Sequence, residues 1–431
     1  MDTVKEWLDW FVCINNPTIP EMWDQQPTFL LANLLYLLMA AMSLKFAVRH
    51  GWNSRYTYMW FAALFHGIVT EIVSYQFPDI NNFWHSQTPL IFAGRRFPLY
   101  IVLFYPATIT HAYIAVENLK LPGWVEPFAV GLFDVIIDFP YDIMGIKLLW
   151  WTWHDTDHNI ADRHYWVPWT SYFFHMSFHS TFAALLNGSR YLLTGSADKK
   201  VASGGFVRES ICVIITAMFS MAFAVIFQML PIYHGLKDGF GFHTEVIMFI
   251  VFALYFGIVY WYDRDPPNEA RGNVNTKMTL SRWFSNESAA VMTIYYIFFV
   301  ILVVFAKPEN ERSYGMHEPI GPADEKVELY AISGAVYVKQ KYLDPLNYDE
   351  GYFDFRCSEI GGFKGTPNLT AHPELIGTDW YTVCGTPYEN HAEYIAVVWA
   401  FCVLGLYSFF NAFARSAGPK KPKGKPKRKR E

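Results

Sequence analysis

The stretch FDVIIDFPYDIMGIKLLWWTWHDTDHNIADRH, residues 133–164, places acidic residues inside an apolar segment of this chain. Asp134, Asp138 and Asp142 are spaced four residues apart in its first half. This spacing puts the three carboxylates on one face of an α-helix. An ionisable side chain at the centre of a membrane helix costs about 2.5–3.5 kcal/mol on insertion scales. We therefore expect this face to point into a helical bundle, toward water or other polar groups.

The composition of the chain is that of a polytopic membrane protein. Its 431 residues are 52% hydrophobic and only 17% charged, whereas soluble domains carry about 25% charged residues. Apolar blocks of about 20 residues are long enough to cross a bilayer as helices. Nine blocks are predicted to be spans: residues 27–47, 57–76, 97–116, 124–148, 167–187, 208–231, 242–262, 288–306 and 391–413. The predicted fold class is all-α, a polytopic transmembrane bundle of about nine spans with a small β-rich insert.

The predicted spans divide the chain into five parts. These are an N-terminal segment (1–26), an eight-span membrane bundle (27–306), a polar segment (307–390), a final span (391–413) and a basic tail (414–431). Stretches such as VELYAISGAVYVKQ in the polar segment alternate apolar and polar residues, which is typical of short β-strands. We therefore expect the insert domain to lie in the polar segment.

The distribution of basic residues predicts the orientation in the membrane. Residues 415–431 carry nine Lys or Arg and one acid, a net charge of +8 that leaves −13 for the rest of the chain. Cytosolic loops are enriched in Lys and Arg, and a basic segment beside a membrane is attracted to anionic headgroups. We therefore expect a cytosolic tail and no nucleic-acid partner, and nine spans then place the N-terminus in the lumen. Lys427 and Lys429 resemble a dilysine retrieval signal, which predicts the endoplasmic-reticulum membrane.

The polar segment carries the features of a lumenal domain. Asn368 begins the sequence Asn-Leu-Thr, an N-glycosylation acceptor. Cys357 and Cys384 are the only cysteines of the segment, and an oxidising lumen favours a disulfide between them. Cys13 is a competing partner, and a loosely ordered loop with two free thiols is the alternative.

Further ionisable residues lie close to the aspartates in the predicted topology. Glu71 is near the end of the second span, and His175 and His179 are four residues apart in the fifth; the loop between the fourth and fifth spans contains His154 and His158. Two histidines on one helical turn are a common way to hold a transition metal. We assign Glu71 and the three aspartates as candidate catalytic acids and bases, and the four histidines as candidate ligands of a divalent metal such as zinc. The same residues would also fit an inert polar seam bonded across helices, with a solvated loop.

Residues 60–187 resemble the carotenoid hydratase family, also called the carotenoid biosynthesis membrane protein family. The resemblance rests on an ordered set of motifs: an acid before YQFPDINNFWHS, then FPLYIVLFYPATI, DVIIDFPYD with WTWHD, and HYWVPWTSYFFH. The family's Asp-Pro is Asp-Phe-Pro here, and the Asn-Phe of its last motif is missing. The resemblance implies a shared helical bundle and polar pocket, with Glu71, Asp134 and Asp138 as the matching acids. More loosely, the chain resembles an uncharacterised family of animal multipass membrane proteins.

Three functional hypotheses follow from these patterns. Members of the resembled family add water across an isolated double bond of an isoprenoid, which needs an acid to protonate the alkene and a base to direct water. A zinc-dependent membrane lipid hydrolase, similar to the ceramidase-like enzymes, would hold zinc with a His pair and an Asp and activate water. A non-catalytic subunit of an endoplasmic-reticulum complex, such as a lipid-transfer assembly, would use the pocket for binding alone. All three predict a membrane lipid as ligand, and the last predicts membrane or lumenal protein subunits as partners.

Overall fold

The computed structural model describes residues 2–14, 17–77, 80–119, 121–154, 160, 162–195, 201–263, 280–330, 334 and 336–414, most of which are helical. The α-helices in these ranges are α1 Asp2–Phe11, α2 Ile19–Gln25, α3 Pro27–Arg49, α4 Arg55–Gln76, α5 Leu99–Leu119, α6 Glu126–Lys147, α7 Trp169–Thr194, α8 Phe206–Ala224, α9 Gly235–Phe240, α10 Thr244–Asp263, α11 Leu280–Ser285, α12 Glu287–Phe305 and α13 His391–Ala414.

Six helices in the described part of the chain are long and apolar enough to cross a membrane: α3, α5, the continuous stretch Phe206–Phe240, α10, α12 and α13. The three other predicted spans also form long helices, α4, α6 and α7, of 22, 22 and 26 residues. These three contain the acids and histidines described below, whose polarity lowers their mean hydropathy. The predicted helical membrane bundle is confirmed at this level.

Helix α6 occupies the centre of the bundle. Nineteen of its 22 residues are buried, and it packs against α5, α7, α10, α12 and α13. A Cβ atom on Gly131 would lie 2.5 Å from the carbonyl oxygen of Met176, which is closer than two such atoms can approach. The missing side chain therefore allows α6 and α7 to pack closely, one helical turn before the first aspartate.

One predicted span is not a regular α-helix. Residues 208–231 were expected to form it, and the structure continues α8 into a π-helix, Val225–His234, that leads directly into α9. Pro231 lies inside the π-helix and has no N–H to donate to the helical hydrogen bonds. π-Helical turns are frequent at functional sites.

The strands form small antiparallel sheets at one end of the bundle. They are β1 Val12–Ile14, β2 Phe83–His85, β3 Leu90–Phe92, β4 Phe97–Pro98, β5 Trp151–Trp153, β6 Arg163–His164, β7 Val167–Pro168, β8 Arg312–Met316, β9 Lys326–Tyr330, β10 Val336–Gln340, β11 Phe353–Asp354, β12 Glu359–Ile360, β13 Phe363–Lys364 and β14 Trp380–Gly385. The predicted strands of VELYAISGAVYVKQ are present as the pair β9–β10. The polar segment also contains the three-stranded sheet with the strand order β11-β14-β8.

Three further sheets, which the sequence did not predict, lie in the N-terminal segment and the loops of the bundle: β1-β3-β4, β2-β5 and β6-β7. The polar segment packs on these loops. The backbone N–H of Gln87 donates to the carbonyl oxygen of Tyr314 over 3.0 Å, and the hydroxyl of Tyr352 donates to the carbonyl oxygen of Trp153 over 2.6 Å. The fully buried ammonium group of Lys147, at the end of α6, lies 2.9 Å from a carboxylate oxygen of Glu389.

A buried ion cluster joins α4, α7 and α8 at the opposite end. The carboxylate of Glu209 has no exposed surface and accepts from Nε of Arg55 over 2.8 Å and from Nε of Arg190 over 2.9 Å. Both arginine side chains are less than 5% exposed. A second guanidinium N–H of Arg190 donates to the carbonyl oxygen of Arg55 over 2.8 Å. The cluster holds together the helices that carry one side of the site.

Candidate functional site

The aspartate face of α6 meets the two histidines of α7. Oδ2 of Asp134 is hydrogen-bonded to Nδ1 of His179. The ring of His175 lies between two carboxylates, with Nδ1 3.6 Å from Oδ2 of Asp134 and Nε2 3.3 Å from Oδ1 of Asp138. The structure therefore brings together the residues that the four-residue spacings placed on two helix faces.

The cluster contains two sets of metal-ligand atoms. One set is Asp134, His175 and His179, and the other is Asp138, Asp142 and His175. In each set, one ligand atom of every residue lies within 4.8 Å of the ligand atoms of the other two. Two imidazoles and one carboxylate are the protein ligands of many catalytic zinc sites and of non-haem iron(II) sites. The second set is richer in oxygen and would suit a harder cation. The residues present therefore fit a divalent metal.

Several carboxylate oxygens of the cluster are unsatisfied. Oδ1 of Asp134 and Oδ2 of Asp138 have no hydrogen-bond partner among the described residues, and Oδ1 of Asp138 has only the 3.3 Å ionic contact with Nε2 of His175; both aspartates are 1% exposed. A buried carboxylate oxygen that lacks a hydrogen bond is unfavourable. An inert polar seam would satisfy its own atoms, so these oxygens point to a bound cation or a shared proton.

A cavity of about 480 Å³ opens beside the cluster, within the range of roughly 300–1,000 Å³ that is typical of small-molecule sites. Its polar wall includes Glu71, Asp142, His175 and His179. The side chain of His175 is 19% exposed while the aspartates are almost completely buried. The rest of the lining is mainly apolar and comes largely from α4, α7, α8 and the π-helix: Val73, Phe174, Phe178, Met221, Ile226 and Met229.

Glu71 lines the cavity, outside both ligand sets. Its Oε1 accepts a hydrogen bond from the hydroxyl of Tyr105 over 2.8 Å. His66, which sequence reasoning left without a role, is fully buried in the same helix, and its ring centroid lies 5.9 Å from that of His179. An ionisable residue in the middle of a span is itself a signal of function, and this signal could have identified His66.

Hydroxyl groups hold the polar wall in place. The hydroxyl of Ser171 donates to Oδ2 of Asp142 over 2.7 Å. The hydroxyl groups of Tyr141 and Tyr100 are 3.1 Å apart, and that of Tyr100 lies 3.2 Å from Nδ1 of His85. These residues come from four separate parts of the chain, so the sequence offered no spacing that could reveal them.

His154 does not join the α6–α7 cluster. Its Nδ1 lies 3.3 Å from Oε1 of Glu350, and its ring centroid is 6.3 Å from that of His317. Burial, together with the neighbouring His154, lowers the pKa of His317 to about 3, so this histidine is neutral at physiological pH. Pairing of β5 with β2 directs the chain after Trp153 toward the polar segment, and this explains the separation. His158 lies outside the described residues.

The remaining predicted sites lie away from the cavity. The disulfide between Cys357 and Cys384 is present. Asn368 is exposed, and its side-chain oxygen accepts from the backbone N–H of Thr370 over 3.2 Å, as in an Asx turn. Lys427 and Lys429 lie outside the described residues.

Fold and site together define a class: a helical membrane bundle with a buried Asp/His cluster beside an apolar cavity. The chain belongs to the family described as Domain of unknown function (DUF7802), whose model matches residues 1–414. The match includes every helix and strand named above. No curated protein and no solved structure matches the chain.

Proposed function

We propose that this protein is a membrane-embedded enzyme that takes a lipid or isoprenoid chain into the cavity and activates water at the Asp/His cluster. One observation carries the proposal. The ligand atoms of Asp134, His175 and His179 lie within 4.8 Å of one another, next to a cavity whose lining is otherwise mainly apolar. Ligand sites of this kind combine an apolar lining with a few placed polar groups.

In this proposal Asp134, His175 and His179 would hold a divalent metal such as zinc, which would supply the chemistry of making water a stronger nucleophile. Asp142 lines the cavity beside His175 and takes the proton from water as general base. For an ester or amide substrate, water oxygen bonds to the carbonyl carbon, the bond to the leaving group breaks, and the proton passes to the leaving group. The apolar wall holds the lipid chain and keeps bulk water away.

Metal content tests this assignment. Purified wild-type protein is expected to carry close to one equivalent of zinc or another transition metal per chain. Elemental mass spectrometry measures this content. His179→Ala and His175→Ala each remove one ligand and are expected to leave less than a tenth of that content, because three protein ligands are the usual minimum for a catalytic site.

His111→Gln is the matched control for metal loss. His111 is also a fully buried histidine of a long helix, but its Nδ1 lies 2.8 Å from the hydroxyl of Ser288, away from the cluster. The control is expected to keep its metal. A wild-type protein without stoichiometric metal would overturn the metal assignment.

A second candidate, metal-free hydration of an isoprenoid double bond, is supported by the Asp138–Asp142 pair. Ligand atoms of these carboxylates lie within 4.8 Å of each other, and Oδ2 of Asp138 has no hydrogen-bond partner in the described part of the chain. A protonated carboxyl would give its proton to one alkene carbon. The other carboxylate would take a proton from the water that adds to the neighbouring carbon. Turnover that persists after complete chelation of metal would favour this candidate.

The third hypothesis, a non-catalytic subunit of a membrane complex, would be supported by a different experimental result. If the purified protein binds lipid without any turnover and co-purifies with other membrane or lumenal subunits, binding replaces catalysis as its role. A single monodisperse chain that converts lipid would exclude that role.

For the topology we propose nine spans in the endoplasmic-reticulum membrane, with a lumenal N-terminus and a cytosolic tail. The nine helical stretches at the predicted positions and the basic residues 415–431 support this arrangement. It places the polar segment, the disulfide and the open side of the cluster on the lumenal side.

Glycosylation tests this orientation. Wild-type protein expressed in cells with an intact glycosylation pathway is expected to lose one glycan on treatment with an endoglycosidase specific for high-mannose chains. Asn368→Gln and Thr370→Ala should each abolish the mobility shift, because either change destroys the acceptor sequence. Asn347→Gln, in the same segment but outside any acceptor sequence, should keep it. An unglycosylated wild-type chain would count against a lumenal polar segment.

A further inference from the structure

The cavity reaches the surface of the bundle along one helix. Most residues of its described lining are buried or half-buried, and the exposed ones are Met218, Ala222 and Ile226, called the rim residues below. Met218 and Ile226 are each 52% exposed. The rim residues are four positions apart along α8 and the start of the π-helix, and this spacing places them on one side of the helical stretch. The cavity therefore meets the surface on that side.

The end of the cavity toward the sheets is covered by loops. Asn82, Trp151, Trp153 and Ile160 line the cavity there, and each is 8% exposed or less. Pairing of β2 with β5 ties two of these loops together. A ligand that passed between them would have to separate the paired strands, whereas the rim residues are already exposed.

The rim residues belong to a helical stretch that can span the membrane. They lie near the middle of Phe206–Phe240, which is long and apolar enough to cross a bilayer. Beside them, outside the described lining, is an outer face of three exposed aromatic residues: Phe219, Phe223 and Phe227. Their successive ring centroids are 6.0 and 5.7 Å apart. Apolar surface of this kind is unfavourable in water and favourable in lipid, so the rim faces the bilayer.

The chemistry of the lining restricts which lipids can enter. All three rim residues are apolar. The described lining contains no Lys or Arg, and it includes the acids Glu71 and Asp142. An ionised headgroup that crossed the rim would lose its hydration and would meet no guanidinium or ammonium group of the described lining in exchange. A hydroxyl, an ester, an amide or a double bond loses much less hydration on the same path.

We propose that the cavity takes a neutral lipid directly from the bilayer, through a side opening formed by Met218, Ala222 and Ile226. The inference rests on the proposed function, because it names the substrate class of the same cavity and the route by which it arrives. The apolar chain lies against the lining from α7, α8 and the π-helix. The weakly polar group of the lipid reaches His175, the partly exposed member of the Asp/His cluster. Lipids with an ionised headgroup stay outside the rim.

Photocrosslinking from the bilayer tests the proposal. Full-length protein in phosphatidylcholine nanodiscs receives diacylglycerol or phosphatidate that carries the same diazirine-bearing acyl chain, and peptide mass spectrometry locates the labelled residues. Phe178 lines the cavity and is 7% exposed, so label there reports a chain that has entered. Diacylglycerol is expected to label Phe178 about tenfold more than phosphatidate, because an ionised group pays far more for lost hydration than a hydroxyl. Both lipids should label Phe227 on the outer face equally, which normalises the two probes.

Ala222→Trp narrows the opening and should reduce diacylglycerol labelling of Phe178 about fivefold or more, because a close-packed rim leaves no gap for a chain to pass. Phe223→Trp is the matched control, since it places the same side chain on the adjacent residue of the outer face, and it should label as wild type does. Met218→Trp narrows the same rim from another position and decides the matter if Ala222→Trp does not fold. Absence of label at Phe178 in wild type, unchanged label in the rim variants, or equal label from phosphatidate overturns the proposal.

The experiment separates the side opening from the catalytic function, because labelling requires no turnover. Label at Phe178 without any lipid conversion would leave the opening standing and refute catalysis. Lipid conversion at the wild-type rate by both rim variants would refute the opening and leave catalysis standing.

Discussion

Replacing Asp142 by Asn is expected to abolish lipid conversion while the protein stays folded. Asn has nearly the same shape, and its side-chain oxygen can still accept the 2.7 Å hydrogen bond from Ser171. It cannot take a proton from water. A positioned general base contributes about 10²–10⁴-fold to rate, so the expected loss is of that size. Both catalytic schemes need this carboxylate, because it lines the cavity and lies beside His175.

The measurement uses protein reconstituted into vesicles of a total membrane lipid extract, with mass spectrometry to follow the lipid that is consumed. Glu126→Gln is the matched control. Glu126 is another buried acid of α6, but it lies in the first turn and accepts from the amide of Asn187 over 3.2 Å, far along the helix from Asp142. The control should convert lipid at the wild-type rate. A normally folded Asp142→Asn protein with full activity would refute its role as base.

Replacing Glu209 by Ala is expected to produce the largest loss of stability. The change leaves the guanidinium groups of Arg55 and Arg190 buried without their shared carboxylate. Removing one partner of a buried ion pair costs about 3–5 kcal/mol, because the remaining charge is left uncompensated. Here two cations repel each other between α4, α7 and α8. The midpoint of thermal unfolding in detergent should fall by on the order of 5 °C or more.

Glu287→Ala provides the comparison at the same end of the bundle. Its partner Arg49 lies 2.6 Å away, and the Arg49 side chain is 50% exposed. Exposed ion pairs contribute only about 0–1 kcal/mol to stability. The midpoint should therefore move little. Equal shifts for the two variants would show that the buried cluster is not a major determinant of stability. Helix α4 carries Glu71, and α7 carries His175 and His179. A large fall in the unfolding midpoint of Glu209→Ala would therefore also indicate that the buried ion cluster helps to hold these site residues in position.

Much of the candidate site could be predicted from sequence because its signals are local. Four-residue spacing in one helix places Asp134, Asp138 and Asp142 on one face whatever surrounds them, and the cost of burying charge requires that face to avoid lipid. The same reasoning applies to His175 and His179. Length and apolarity likewise predicted the helices, and alternation predicted the pair β9–β10.

Other parts of the site depend on contacts between distant segments. The position of His154 in the loop between the fourth and fifth spans predicts a metal ligand, but β5 pairs with β2 and turns this residue toward Glu350. Hydrogen bonds such as that of Ser171 with Asp142 join residues 29 positions apart, beyond any helical spacing.

By itself, then, the sequence determined that apolar helices of membrane-spanning length form and that acids and histidines share helix faces, because both follow from composition and from a fixed helical period. Only the tertiary structure decided which faces meet. Close packing of α6 and α7 at Gly131 sets the Asp and His faces against each other. The apolar lining of the cavity arises from helices and loops far apart in the chain, whose positions no local pattern specifies.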